Sequence, residues 1–201
     1  MNLKKYIVKE YRKFKKKSWL GKGGDILFIL LILLLLIPSA RKELLTYGSK
    51  VRMLFAEVDT QKHTELKGKS SLLIMAEDGK QYTLSHFQDK PVFINYWATW
   101  CPPCRAEMPS LQTLYNEYQD EIHFLFITSE SFDKTNSFLE SKEYNFPVYK
   151  IKSAPMGNLK YEVLPTSLLL SEDDRIVFKK EGAVDWNREK VKRIFEEVLN
   201  S

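Results

Sequence analysis

The sequence predicts an α/β fold: a mixed central sheet with helices on both faces, preceded by a single transmembrane helix. Three observations predict it. From Ser70 onward, strand-like and helix-like patterns alternate in the order ββ-βαβα-ββα. Before that, a basic run leads into a long apolar run. Both cysteines of the 201-residue chain sit in one motif between a buried strand and a helix.

Met1 to Lys22 carries nine Lys or Arg and one Glu, and reads as a cytoplasmic tail in contact with anionic headgroups. Ile26 to Ile37 is twelve apolar residues without a break. Residues 23–40 hold one charge, Asp25, and are expected to span a bilayer with Lys22 and Arg41 snorkelling at its faces. A cleaved signal is the alternative, but cleavage after Ala40 puts Pro38 where a small residue is expected. The charge order places the N-terminus in the cytoplasm and everything after Ala40 outside it.

Residues 41–69 form a connector. Leu44, Tyr47, Val51, Leu54, Phe55 and Val58 fall at helical spacing, so a short amphipathic helix or an unpartnered stalk both fit. Gln61–Ser70 is polar and reads as a linker. The outer domain, residues 70–201, opens with a strand at Ser71–Met75. A turn at Asp78-Gly79 and a return strand at Gln81–Leu84 follow. Ser85 is a candidate cap for a short helix over His86–Gln88.

Pro91–Tyr96 is a buried strand, Cys101–Asp120 a helix and Ile122–Thr128 a strand. A helix over Asp133–Glu143 and an extended piece at Pro147–Tyr149 come next. Strands at Thr166–Leu170 and Arg175–Lys179 flank the acidic turn Glu172–Asp174. A helix over Asn187–Asn200, with Asp185 as cap, closes the chain.

The net charge of +5 suggests nucleic acid until the chain is split. Residues 1–69 hold sixteen Lys and Arg against six Asp and Glu, and residues 70–201 hold fifteen against twenty. The outer domain is therefore acidic and lacks the electrostatic footprint that phosphate backbones require.

The cysteines lie in Trp97-Ala98-Thr99-Trp100-Cys101-Pro102-Pro103-Cys104. Two thiols separated by two residues at a helix start can close a small disulfide ring. The helix N-terminus favours the thiolate of the first, and the second is placed to attack a mixed disulfide formed on the first. Both prolines suit the first turn, whose N–H groups have no helical partner. A static disulfide and half of a metal site are the other readings of the pair. His63, His86 and His123 show no ligand spacing.

Residues 70–201 resemble the thioredoxin-like proteins of the TlpA/ResA group, membrane-tethered thiol–disulfide oxidoreductases facing the extracytoplasmic space. The resemblance rests on WATWCPPCRAEMP, on the Asp78-Gly79 hairpin and on Val163-Leu164-Pro165-Thr166-Ser167, which is similar to the thioredoxin cis-proline loop. Gly182 to Asn187 resembles such proteins from Bacteroidetes. The resemblance implies a redox-active Cys101–Cys104 disulfide and no other cofactor. It implies Cys101 as attacking nucleophile, Cys104 as resolving thiol and Pro165 as a cis-proline whose preceding carbonyl, on Leu164, pairs with an extended substrate. Read without it, Pro165 is an ordinary turn residue.

Trp100, Pro102 and Pro103 would form the rim that meets partner proteins, while Trp97 and Trp186 read as packing. Glu107, one turn after Cys104, would tune the thiols as a proton acceptor, or else lie on the helix surface near the dipole. Asn95 stands where cytosolic thioredoxin has an Asp, and Glu107 would take over its proton handling. Pro109 is expected to kink the helix.

Pro102-Pro103 offers Cys101 no N–H donor and no imidazole. That favours a reductant fed by a membrane electron donor of the DsbD/CcdA kind, with apocytochrome c or other extracytoplasmic disulfides as substrates. A general disulfide oxidase or isomerase is the near alternative. A peroxiredoxin-like peroxidase would want a Thr where Ala98 stands, and a copper-delivery module of the Sco kind would want one more residue between the cysteines.

Overall fold

The computed structural model describes residues 19–53, 55–56, 64–65 and 72–200. The chain divides into two compact units, Met1–Leu44 and Leu45–Ser201. In the first, helix α1 (Trp19–Leu36) exposes Ile26 to Leu34. A bend at Ile37 ends it, and α2 (Pro38–Met53) begins at the proline, a residue suited to a first helical position.

Residues 23–40, the expected span, thus take in most of α1, the bend at Ile37 and the start of α2. Among the described residues no helix is long and apolar enough to cross a membrane. Ile26–Leu36, the charge-free part of α1, rises about 16 Å at 1.5 Å per residue, against about 30 Å of hydrocarbon. The basic tail before residue 19 lies outside the described residues.

The connector helix exists as α2, but its expected apolar face is not the one it buries. Tyr47 and Val51 are exposed, while Thr46 and Met53, seven residues apart on one face, are buried. Leu54 and Val58 lie outside the described residues.

The second unit is built on an eight-stranded sheet in the order β1-β8-β7-β4-β5-β6-β2-β3. Its strands are β1 (Thr64–Glu65), β2 (Leu73–Met75), β3 (Gln81–Thr83), β4 (Val92–Tyr96), β5 (His123–Thr128), β6 (Val148–Ile151), β7 (Thr166–Leu170) and β8 (Arg175–Glu181). The central strands β4, β5 and β6 run parallel, and β7, β8, β1, β2 and β3 add antiparallel edges. Three helices accompany them: α3 (Pro102–Tyr118), α4 (Phe132–Glu140) and α5 (Glu189–Leu199).

Two differences from the expected elements have local causes. Thr64–Glu65, inside the stretch read as a linker, pairs with Ile176 and Arg175 as an edge strand. The short helix after β3 is a 3-10 turn, Leu84–Phe87, capped from Thr83 rather than Ser85, because the His86 ring turns back on the Thr83 N–H (3.3 Å).

Alternating side chains along the strands separate two cores. Phe93, Phe124, Phe126, Leu169 and Phe178 meet α3 through Met108 and Leu111, and α5 through Val191, Ile194 and Phe195. On the opposite face Ile94, Tyr96, Leu125, Ile127, Leu168 and Leu170 pack under the 3-10 turns Leu84–Phe87 and Gly157–Leu159. Among the described residues the second core draws nothing from an α-helix. The long helices expected on both faces lie over the first core.

Candidate active site

The strand β4 is buried at every residue, which fixes the start of the loop that follows it. Trp97 N donates to Ile127 O (3.0 Å), and the Trp97 ring is buried against Phe138 and Phe146, so it is a packing residue. Thr99 is held by Glu130: its N–H donates to Oε2 at 2.6 Å and its hydroxyl to Oε1 at 3.0 Å. Trp100 is left projecting, 58% exposed.

Cys101 is the residue capping α3, with Pro102 and Pro103 in the first turn. It is disulfide-bonded to Cys104, and the Cys104 N–H donates to the Cys101 sulfur at 3.3 Å. Two consecutive prolines remove the first two amides, so the third is the first one this helix can offer. Both sulfurs are on buried residues, while Pro102 and Pro103 are half-buried. The helix runs through Pro109 to Tyr118.

Glu107 is fully buried, so the helix-surface reading of this residue does not hold. Its Oε2 accepts from Val184 N (3.0 Å) and Trp186 Nε1 (3.2 Å), and its Oε1 accepts from Asn95 Nδ2 (2.9 Å). Asn95 Nδ2 also donates to Ser167 Oγ (2.8 Å), and Asn95 Oδ1 has no partner among the described residues. Desolvation pushes the Glu107 carboxyl up to about 8, against the pull of these three donors.

Trp186 therefore does more than pack: its indole N–H is one of the donors that hold Glu107. Glu130 and Trp186 were the functional contacts that sequence reasoning missed. Their partners lie 31 and 79 positions away, at distances set by the sheet.

The Leu164–Pro165 peptide bond is cis. Thr166 Oγ1 donates to Val163 O (2.8 Å) and Gly182 N to Pro165 O (2.8 Å), which holds the loop from both sides. Among the described residues nothing donates to the Leu164 carbonyl. Pro103 and Leu164 line one groove, so the structure brings the second proline of the motif and the Pro165 loop together. His123 bonds Asp89 (2.7 Å) at the surface end of β5.

A capped dithiol–disulfide centre on the first turn of α3, beside this loop, coincides with what family comparison finds. The redoxin family model matches residues 60–198. The chain belongs to the redoxin family. This redoxin is 29% identical over 124 residues to the thiol-disulfide oxidoreductase ResA of Bacillus cereus, covering 60% of this chain and 72% of that one. It is 30% identical over 125 residues to the ResA of Bacillus thuringiensis, covering 61% and 69%.

Among solved structures the redoxin is similar to a secreted thiol-disulfide isomerase of Corynebacterium glutamicum. The TM-score is 0.52 at 24% identity, over 71% of this chain and 88% of that one. A DsbF homologue of Corynebacterium diphtheriae gives 0.54 at 19%, over 68% and 93%. These likenesses carry the fold. The family and the ResA relatives carry the activity: the redoxin is a thiol–disulfide oxidoreductase with a Cys101–Cys104 pair.

Proposed function

We propose that this redoxin is a disulfide reductase working outside the cytoplasm. The observation that carries the direction is that, among the described residues, one amide, the Cys104 N–H at 3.3 Å, donates to the Cys101 sulfur. A thiolate with few donors is poorly stabilised, and a poorly stabilised reduced form makes a reductant.

The electrons balance as follows. The Cys101 thiolate attacks one sulfur of a substrate disulfide, forming a mixed disulfide and expelling the other substrate sulfur as a thiolate. Cys104 gives up its proton and attacks Cys101. The second substrate sulfur leaves, and the enzyme holds the Cys101–Cys104 disulfide. Two electrons have passed to the substrate, which takes up two protons. Glu107, on the same helix face one turn after Cys104, takes the Cys104 proton when it is ionised, a form whose share grows as pH approaches 8.

The oxidised enzyme is reset by a membrane electron donor of the DsbD/CcdA kind, and apocytochrome c is the substrate whose thiols it would keep reduced. The export and membrane attachment of the domain rest on the basic tail followed by the apolar run Ile26–Ile37. A Bacteroidetes origin rests on Gly182–Asn187 alone.

The test is the reduction potential of the full chain in detergent, equilibrated against dithiothreitol and glutathione. A value near about −270 mV is expected, and one near about −120 mV would make the protein an oxidant and overturn the reading.

A further inference from the structure

Beside the disulfide lies a groove of about 790 Å³ whose lining includes Arg52, Phe55, Pro103, Val163, Leu164 and Lys180. Pro103, which lies between the two cysteines in the chain, is part of its lining, so the groove runs alongside the first turn that carries the disulfide. Leu164 brings its free carbonyl, a backbone acceptor to which an extended chain can donate. Those features make half of a site. The other half comes from the connector, more than a hundred residues before Val163 and Leu164 in the chain.

The connector wall is held in place. Arg188 Nη1 donates to Ala56 O (2.5 Å) and Nη2 to Met53 O (3.1 Å), and Met53 is buried. Between and beside these anchored carbonyls, Phe55 is 80% exposed and Arg52 is exposed. Of the three charged residues lining the groove, Arg52 and Lys180 are basic and Glu181 is acidic. An aromatic ring and a guanidinium thus line the same groove as Pro103, Val163 and Leu164.

We propose that the connector residues Ser49, Arg52, Met53, Phe55 and Ala56 are the second wall of the substrate site. They select disulfide-bearing polypeptides whose extended chain carries an acidic side chain close to the reacting cysteine. The acidic group meets Arg52, an apolar neighbour lies between Phe55 and Val163, and the backbone donates to Leu164 O. This assignment rests on the thiol–disulfide exchange described above, and it adds the chemistry of the partner.

The test uses the pre-reduced full chain in detergent and two disulfide peptides that differ only in carrying Glu or Lys two residues from one cysteine. Single-turnover rate constants are measured for wild type and Arg52→Glu. The Glu/Lys rate ratio within one protein cancels any difference in folding between variants. Wild type is expected to prefer the Glu peptide by about five-fold, the size of one exposed ion pair. In 1 M salt this preference collapses. Arg52→Glu is expected to reverse it.

An equal ratio in wild type and variant, or no preference in wild type, overturns the assignment. Rates that fall with rising protein concentration and show no charge preference give the groove to a second copy of the chain, and overturn it too. Inability of the reduced protein to reduce dithiobis-nitrobenzoate, a disulfide with no peptide chain, brings down the exchange reading itself. That outcome is distinct from loss of selectivity.

Discussion

At the residue scale the most consequential side chain after the cysteines is Glu107. A carboxyl at about 8 keeps its proton in the folded chain over a range where the unfolded chain, with its ordinary value of 4.5, has released it. The folded state binds the extra proton, so stability is full below about pH 4.5, falls as pH rises to 8, and levels off beyond. The slope is up to about 1.4 kcal/mol per pH unit. Glu107→Gln is expected to abolish that slope. Urea unfolding at pH 5 and pH 9 should show wild type losing more between the two than the variant, and equal losses would contradict the burial argument. At pH 5 the variant is expected to lie within about 1 kcal/mol of wild type, because a protonated carboxyl and an amide each present one acceptor to Val184 and Trp186 and one donor toward Asn95. Asn95→Asp makes the converse case. A second carboxyl 2.9 Å from the first forces the pair to share one proton, so this variant is expected to lose stability with pH more steeply than wild type.

At the scale of elements, the strand–motif–helix unit was legible in the sequence because each part carries a local signal. Val92–Tyr96 is apolar but for Asn95, and two prolines mark a first turn. The closing helix was placed two residues early because Asp185 Oδ1 takes the Asn187 N–H (3.2 Å) in a turn of its own, leaving Arg188 as the cap. The Thr99–Glu130 clamp carries no local signal, since it joins two successive βα loops only after β4 and β5 have paired. It is nonetheless what steadies the loop bearing Trp100. Burial pushes the Glu130 carboxyl up, but Lys134 and the two Thr99 donors outweigh it and hold it below its ordinary 4.5. Stability from a depressed carboxyl is present above about pH 4.5 and is lost as pH falls through the folded value. Glu130→Ala is therefore expected to cost about 1–3 kcal/mol at pH 7. The deficit should shrink at pH 3, where wild type has lost the clamp as well. A deficit of the same size at both pH values would mean that the carboxylate charge contributes nothing.

At the scale of the whole molecule, the charge split between the N-terminal arm and the outer domain was plain in the sequence. The attachment of the connector was not, because it depends on one arginine far along the chain. The last turn of a helix leaves carbonyls without partners, and a cation placed there answers both the missing bonds and the dipole. Arg188 does this for α2, reaching Met53 O at its last residue and Ala56 O just beyond. If that cap holds the connector, Arg188→Ala should free it while the sheet stays folded. Hydrogen exchange is the discriminating measurement. The Phe55 and Ala56 amides, bonded to Arg52 O and Met53 O, are expected to lose protection by at least ten-fold, about 1.4 kcal/mol, while amides of β4 and β5 keep theirs. Arg188→Lys, with one point charge in place of a two-pronged donor, should fall between. Unchanged exchange at Phe55 and Ala56 in the alanine variant would show that the connector is held by something other than this cap. A uniform loss across the sheet would instead make Arg188 a residue of global stability.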